Sequence, residues 1–201
     1  MATAPFEIIA APFIIFHGPV GEAFPRINIT PAGNWSQIGT GGDLNYTEDG
    51  VVVIPSQTIE TFTPVGSTAA VKAFRTQEGM AIRFTMADLK LEEWNLILNS
   101  NSVTDTAAGS GEAGFRDVDL FMGSTVTQFA ILARGLFSPY GNGWNCQFEI
   151  PVMYQSGAGE QVFQKGTPVG LSLEFTALAD PNAATASDRF GVIKFQDEVV
   201  V

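Results

Sequence analysis

Few side chains in this sequence could support catalysis, and their types limit the reactions open to them. His17 is the only histidine and Cys146 the only cysteine. A Ser-His-Asp triad would have to use His17, which we expect at the boundary of a strand, and no Gly-X-Ser-X-Gly elbow is present. A zinc site built from Cys and His would need more of both, and no P-loop motif occurs. We therefore expect no enzymatic activity and no cofactor.

Oxygen ligands offer one arrangement that resembles a metal site. Oxygen-bearing side chains occur at every second position, as in an EF-hand calcium loop, at Asp43, Asn45, Thr47 and Asp49. Such a loop needs Gly at its sixth position and Glu at its twelfth, where this chain has Glu48 and Ile54. We therefore expect no metal here, and an ordinary long polar loop over residues 40–50.

Paired carboxylates could in principle serve a glycosidase. Asp117 and Asp119 share one face of a predicted strand, and Glu149 and Glu174 lie on the outward faces of two other strands. The outward face of any half-exposed sheet is polar, so these residues do not by themselves indicate catalysis. A β-sandwich that binds or hydrolyses polysaccharide remains one alternative function.

The composition favours a protein that does not grip nucleic acid. The net charge is −11 and the pI is about 4.3, whereas phosphate binding needs basic clusters. Charged residues make up only 15% of the chain, below the usual share of about a quarter. This shortage is explained either by a surface that other subunits cover or by a large β core. No stretch approaches the roughly 18 apolar residues of a membrane helix, and we expect no membrane association.

Most of the chain is predicted to form strands. Apolar and polar residues alternate along residues 114–122, 144–154 and 171–178, which is the period of an antiparallel sheet with one face on a core. Further strands are expected at residues 12–17, 35–39, 51–54, 57–63, 71–75, 80–86, 127–134 and 190–195. Pro55 separates two of them, since proline belongs at a strand end or edge, and residues 76–79 suggest a hairpin turn.

One helix is predicted over residues 88–99. Leu91, Trp94 and Leu98 share one face at helical spacing, and we expect that face to contact the core. Asp88 can cap the first turn. The whole chain, residues 1–201, is thus expected to form one mainly β domain, in which two antiparallel sheets pack together with one flanking helix.

Three stretches read together resemble the major tail tube proteins of long-tailed (siphovirus-type) bacteriophages and related prophages. The first is the opening, residues 4–21, which contains Ala-Pro-Phe-Ile-Ile-Phe-His-Gly. The second comprises residues 35–39, 46–51, 61–68 and 71–79. The third is Met-Ala-Asp-Leu-Lys-Leu-Glu-Glu-Trp at residues 86–94, leading to Phe-Thr-Ala-Leu-Ala-Asp-Pro at residues 175–181. The resemblance covers most of the chain and lies in the order of these features.

The resemblance implies a barrel-like β-sandwich subunit of the virion tail, assembled in the bacterial host cytoplasm. Six subunits would form a ring, and stacked rings would form a hollow tube through which genomic DNA passes without specific binding. The implied partners are copies of the same chain, the tape-measure protein, the tail terminator and the distal tail proteins. A tail terminator, head-completion or decoration protein of the virion is the alternative within this class.

Such a tube predicts two kinds of surface on the subunit. A channel that DNA slides through should be acidic or neutral, and the candidate lumen-facing carboxylates are Glu60, Asp117, Asp119, Glu149 and Glu174. A loop that orders on assembly suits the contact between subunits or rings. The candidate loop residues are Asp43, Leu44, Asn45, Tyr46, Glu48 and Asp49.

Overall fold

The fold is mainly antiparallel β, with one short helix. The computed structural model describes residues 9, 12–39, 45–87, 89–141, 143–157, 159, 161–166 and 168–199. The strands are β1 (Phe13–Gly18), β2 (Ser36–Gln37), β3 (Tyr46–Phe62), β4 (Lys72–Met86), β5 (Val103–Thr106), β6 (Phe115–Val118), β7 (Gln128–Gly135), β8 (Cys146–Gln155), β9 (Leu171–Ala177) and β10 (Val192–Phe195). The helix α1 is Leu91–Ile97, and a 3-10 turn lies at Ala186–Asp188.

Eight of these strands form one sheet, and the remaining two form a small separate sheet. The order in the large sheet is β2-β1-β7-β8-β9-β4-β3, with β10 paired to β8. The first half of β8 pairs with β10 and its last three residues pair with β9. β5 and β6 pair only with each other. The prediction of a mainly antiparallel β fold with one helix is confirmed. Among the described residues, the two sheets are of unequal size, one with eight strands and one with two.

The large sheet curls, so that one of its faces encloses the main core. Side chains from six of its strands pack into this single cluster, together with Leu96 and Ile97 of the helix. The fully buried members are large and apolar: Ile15, Ile82, Phe84, Met86, Ile131, Met153, Leu171, Leu173 and Phe175. On β9 the buried and half-buried positions alternate without a break, as the sequence of that strand predicts. Burial of this apolar area is the main stabilising contribution to the domain.

Tyr46 links the two ends of the curled sheet. Its hydroxyl accepts a hydrogen bond from the backbone N–H of Ile15 in β1, at 2.9 Å, and donates to the carbonyl of Ile38 at 3.4 Å. Its ring stands edge-on to Phe84, with 5.5 Å between the ring centroids. Burial raises the pKa of Tyr46 to about 12. The hydroxyl therefore stays protonated, and β3 is fastened to β1 although four strands lie between them in the sheet order.

Replacing Tyr46 with Phe is expected to destabilise the fold. The change keeps the ring but leaves the buried N–H of Ile15 without its acceptor, which costs about 1–3 kcal/mol. A domain of this size loses about 2–4 °C in Tm per kcal/mol, so thermal unfolding followed by circular dichroism would detect the loss. Tyr140→Phe is the matched control, because that ring is exposed. An unchanged Tm for Tyr46→Phe would show that this hydroxyl does not fasten the sheet.

The hairpin of β3 and β4 is much longer than the sequence predicts. Both strands continue through positions predicted to interrupt them, and the connection lies beyond Phe62 instead of at residues 76–79. Pro55 lies within β3, where it pairs with Met80. β3 is the last strand of the sheet, and an edge strand tolerates proline because its outer N–H need not donate to a neighbour.

The helix is shorter than predicted, and its contact face is partly different. It covers Leu91–Ile97, while the predicted cap Asp88 falls outside the described residues. Leu98 is buried just beyond the last turn, and Trp94 packs on the core while remaining half-exposed. Leu91 is also half-exposed. Glu93, on the same side, is buried and accepts a hydrogen bond from the N–H of Gly39 at 3.1 Å, which fixes the helix to the segment after β2.

Candidate assembly surfaces

The outer half of the long hairpin, residues 55–79, projects from the body of the domain. We call it the arm. β4 pairs with β9 only from Ala81 onward, so within the arm β3 and β4 pair with each other alone. Eight residues of β3 lie in the arm, which gives it a reach of about 25 Å. The outer edge of β3 also has no strand partner within the described chain. A long edge strand of this kind is a template for pairing with another chain.

Exposed apolar side chains cover the outer part of the arm. Phe62 and Phe74 are 54% and 44% exposed, and Ile59, Val65 and Val71 are exposed as well. Glu60 pairs with Phe74, and Phe62 pairs with Lys72. Since paired residues share a face and residues alternate along a strand, both phenylalanines lie on the same face. An apolar group on a projecting, two-stranded element indicates a protein–protein contact.

A second surface is the solvent face of β3, β4 and β9, opposite the main core. We call it the polar face. Glu174 pairs with Arg83, and Arg83 pairs with Val52. Glu60 lies eight residues after Val52 on β3, so its side chain points to the same side of the sheet. From Glu60 toward the tip of the hairpin, this side becomes the apolar part of the arm. Most other members carry hydroxyl or amide groups: Ser56, Thr58, Gln77, Thr85, Ser172 and Thr176. Lys72 lies on the same side at the arm end, so two carboxylates and two cations leave this face close to neutral.

The structure separates the five predicted lumen carboxylates. Glu60 and Glu174 share the polar face. Asp117 lies on β6 of the small sheet, and Asp119 follows it in a loop; both are exposed. Glu149 does not face solvent at all, since it is buried on β8. Only two of the five can therefore contribute to one surface of the large sheet.

The predicted interaction loop is in large part a strand. Tyr46 begins β3 and belongs to the main core, and Asn45 is buried beside it. Glu48 and Asp49 lie within β3 as well, while Asp43 and Leu44 fall outside the described residues. The prediction of a polar loop through residue 50 was wrong for residues 46–50. Its cause is a register shift between Tyr46 and Val51, which breaks the alternation that would have identified a strand.

A third surface, residues 115–126, follows the helix and the first strand of the small sheet. We call it the knob. The sequence predicts a half-buried strand over residues 114–122, but β6 ends at Val118. Leu120 and Phe121 are 75% and 84% exposed, and Met122 is exposed too. The alternation of this segment was therefore misleading, because the face predicted to be buried has no core beneath it.

Two asparagines hold the knob in place from the end of the helix. The side-chain amide of Asn99 donates to the carbonyls of Met122 and Thr125, at 2.7 and 2.6 Å, and its Oδ1 accepts from the N–H of Thr127 at 2.6 Å. Asn101 donates to the carbonyls of Asp119 and Phe121, at 2.6 and 3.0 Å. These bonds fix an exposed apolar segment in one conformation.

Asn99 also has a left-handed backbone, with φ of 59°. Asparagine tolerates this conformation better than most residues do. The predicted helix simply ends at residue 99, and the Asn-Ser-Asn run at residues 99–101 is the signal that could have indicated a turn organised by side chains.

Residues 19–35, which we call the strap, cover the face of β1, β7 and β8 that lies opposite the main core. Trp35 and Phe24 pack together there, with ring centroids 5.0 Å apart, and join Phe16 and Leu132 in a small apolar cluster. The indole of Trp35 donates to the carbonyl of Ala23 at 3.0 Å. Both faces of β8 are consequently buried, and this is why Glu149 is not on the surface.

Beside this cluster, a row of mostly buried polar side chains crosses the sheet and ends on the strap. Lys194 contacts Glu149 at 2.7 Å, and Gln147 donates to Glu149 and accepts from Arg134. The guanidinium of Arg134 also donates to the strap carbonyls of Arg26, at 3.0 Å, and Ile29. Burial lowers the pKa of Arg134, and the negative charge of Glu149 opposes that effect. The alternation of β8 did not reveal this row, because it predicts a solvent-facing position for Glu149.

The remaining reactive side chains lie in the fold without forming a site. His17 is half-buried edge-on to Phe129, with 5.7 Å between ring centroids, and burial lowers its pKa. Burial also raises the pKa of Cys146. Among the described residues, no three His, Cys, Asp or Glu side chains come together in a way that could hold a metal ion. Within the same residues, no helix has both the length and the apolar character needed to cross a membrane.

Comparison with known proteins gives no family assignment: the chain matches no protein-family model and no curated protein.

Proposed function

We propose that this chain is a structural subunit that assembles with copies of itself into rings, which stack into a hollow tube that conducts double-stranded DNA in a bacteriophage tail. The observation that carries the proposal is the arm. Seventeen residues of β3 form one edge strand, and its outer half carries exposed apolar side chains. A monomer would present both an unpaired edge and an apolar surface to solvent, and the same element in a neighbouring copy can cover them.

The arrangement of surfaces also suits a repeated assembly. A ring closed by head-to-tail contacts needs two different patches on each subunit, and stacking needs further contacts along the axis. The described chain has several separate exposed apolar groups. They are the arm, the knob, and Leu136 with Phe137, Tyr140 and Ile193. Separate patches on different sides of a subunit are expected for an assembly that grows in more than one direction.

The polar face is our candidate for the channel wall. It combines hydroxyl and amide groups with a net charge close to zero, so it can be hydrated without strongly attracting phosphates. The total charge of −11 further opposes adhesion of a polyanion. The sequence resemblance to tail tube proteins agrees with this assignment. On this proposal the subunit has no catalytic role, and its function is to form a wall.

Electron microscopy of the purified protein tests the proposal directly. Negative-stain images across a concentration series are expected to show rings at low concentration and tubes of constant diameter at high concentration. Assembly that always stops at single rings would instead favour a tail terminator or head-completion role. Monomers at every concentration, together with binding to polysaccharide, would overturn self-assembly and favour a carbohydrate-binding module.

Making the polar face positive is expected to make the tube retain DNA. Replacing Glu60 and Glu174 with Lys raises the net charge of that face by +4 per subunit, since Arg83 and Lys72 are unchanged. Each new phosphate contact strengthens DNA binding and makes it dependent on salt. Tubes of this variant should therefore retain linear double-stranded DNA on a filter at low salt and release it at high salt, whereas unchanged tubes should not retain it.

The matched control makes the same charge change elsewhere. Asp197 and Glu198 are exposed and follow β10, away from the polar face, so their replacement with Lys tests the effect of total charge alone. If these control tubes retain as much DNA as the Glu60 and Glu174 variant, the polar face is not the channel wall. The subunit could still form a tube with another face inward.

A further inference from the structure

We propose that the knob of one subunit docks on the outer apolar face of the arm of a neighbouring copy. This inference rests on the proposed self-assembly and names two surfaces that meet in it. It commits to a second copy as the occupant, because the two surfaces are complementary in both apolar character and charge.

The knob is built as a rigid apolar projection. Leu120, Phe121 and Met122 are exposed, yet the carbonyls of this segment are held by Asn99 and Asn101 from the body of the domain. A segment that is already ordered loses less conformational entropy on binding, and this preorganisation strengthens association.

The arm presents a matching surface. Phe62 and Phe74 lie on one face of the hairpin, and Lys72 pairs with Phe62 on that same face. All three side chains are exposed. An aromatic ring from the knob can therefore pack on two aromatic rings of the arm. Lys72 lies at the outer border of this contact, and Glu60, which pairs with Phe74, lies at its inner border.

The charges of the two surfaces also fit. Arg116, the only cation of the knob, is already bound to Glu92 and Asp105, at 2.7 and 3.2 Å. Asp117 and Asp119 form no ion pair with other described residues, and the same holds for Lys72 on the arm. Two copies of a chain with net charge −11 repel each other in general, so a contact that brings an acid to a base is favoured over most others.

A charge exchange tests the contact. Asp119→Lys places a cation against Lys72 of the neighbour, and Lys72→Glu places an acid against Asp119. Each single variant should raise the concentration needed for assembly by about tenfold or more, because like charges that face each other oppose association. The double variant restores opposite charges at every knob–arm contact and should assemble near the concentration of the unchanged chain.

A cysteine pair tests the same contact without a change of net charge. Asp119→Cys combined with Lys72→Cys keeps every aromatic ring of the contact and should yield disulfide-linked ladders of subunits on oxidation, since Cys146 is buried and cannot compete. Phe163→Cys combined with Lys72→Cys is the control, because Phe163 is exposed outside the knob. Linked ladders in the test pair alone would support the contact.

The results separate this inference from the proposed function. Tubes that form normally with Asp119→Lys, or single variants that the double variant does not restore, would overturn the knob–arm contact while leaving self-assembly intact. The absence of ladders from the Asp119 and Lys72 cysteine pair in visible tubes would do the same. If the unchanged chain never assembles, the proposed function fails first, and the contact fails with it.

Discussion

A variant in which Phe62 and Phe74 are both replaced by Ser is expected to remain monomeric at concentrations where the unchanged chain forms tubes. Both side chains are exposed on one face of the arm, so serine should be tolerated there without loss of core packing. On our proposal these rings become buried between subunits. Their loss should therefore weaken assembly while leaving the fold of the subunit as it was.

The expected size of the effect follows from the behaviour of aromatic residues at interfaces. An aromatic residue at the centre of an interface contributes about 2 kcal/mol or more on truncation. Two such losses at each contact weaken association about 1,000-fold if they add. Analytical ultracentrifugation over a concentration series would measure the shift, and circular dichroism would show that the monomer is folded.

Val162 and Phe163 provide the matched control. They are exposed apolar residues outside the arm, so replacing both with Ser removes a similar amount of apolar surface. This control should assemble like the unchanged chain. Tubes formed normally by the Phe62 and Phe74 variant would show that the arm is not an assembly element, and equal defects in both variants would show that the effect is not specific to the arm.

The sequence predicts most strands of this fold because their alternation reports which face meets the core. β9 is the clearest case, since buried and half-buried residues alternate along its whole length. Strand pairing between distant segments is not encoded in that local pattern. The choice between two packed sheets and one curled sheet depends on contacts such as that of Tyr46 with Ile15, which lie 31 residues apart.

β8 shows where alternation fails. Phe148 and Ile150 face the main core, but the next residue on that side is Met153, because the pairing of β8 with β7 shifts near Pro151. A β-bulge inserts one extra residue and reverses the orientation of the residues after it. Proline is frequent at such bulges, so Pro151 was the available signal. A strict period of two predicts Val152, and not Met153, on the side of β8 that faces the main core.

The candidate site was predicted less well than the fold, for a different physical reason. Glu149 and Glu174 occupy equivalent polar positions in their strands, yet one is buried and the other half-exposed. The difference comes from the strap, a segment without regular structure that covers one strand and not the other. Local sequence reports the orientation of a side chain relative to its own strand, whereas coverage by a distant segment is a tertiary property.

Replacing Arg134 with Met is expected to destabilise the domain more than the loss of the Tyr46 hydroxyl does. Methionine fills much of the same volume but donates no hydrogen bond. The carbonyls of Arg26 and Ile29 and the amide oxygen of Gln147 would lose a common buried donor. Each buried acceptor left without its donor costs about 1–3 kcal/mol, so the loss of three should exceed the loss at Tyr46, and chemical denaturation in urea would measure it.

The region that loses protection from amide exchange and proteolysis distinguishes the loss of this network from a general loss of packing. The strap is attached to the sheet through donors on Arg134, Gln147 and Asn145, the last bonded to the carbonyl of Ile27 at 2.9 Å. Without Arg134, residues 19–35 should exchange amide hydrogens and be cleaved by proteases well before the rest of the domain unfolds. β9, on the other side of the main core, should keep its protection.

Two further variants complete this experiment. Arg83→Met removes an exposed guanidinium from the polar face and should change the free energy of unfolding by no more than about 0.5 kcal/mol. Arg134→Lys keeps the charge but cannot donate to Gln147, Arg26 and Ile29 together, because an ammonium lacks the planar fork of a guanidinium. Its stability should lie between those of the unchanged chain and Arg134→Met. Equal stability of all three variants would mean that Arg134 does not hold the strap, and that the packing of Phe24 and Trp35 with the bonds from Gln147 and Asn145 is sufficient.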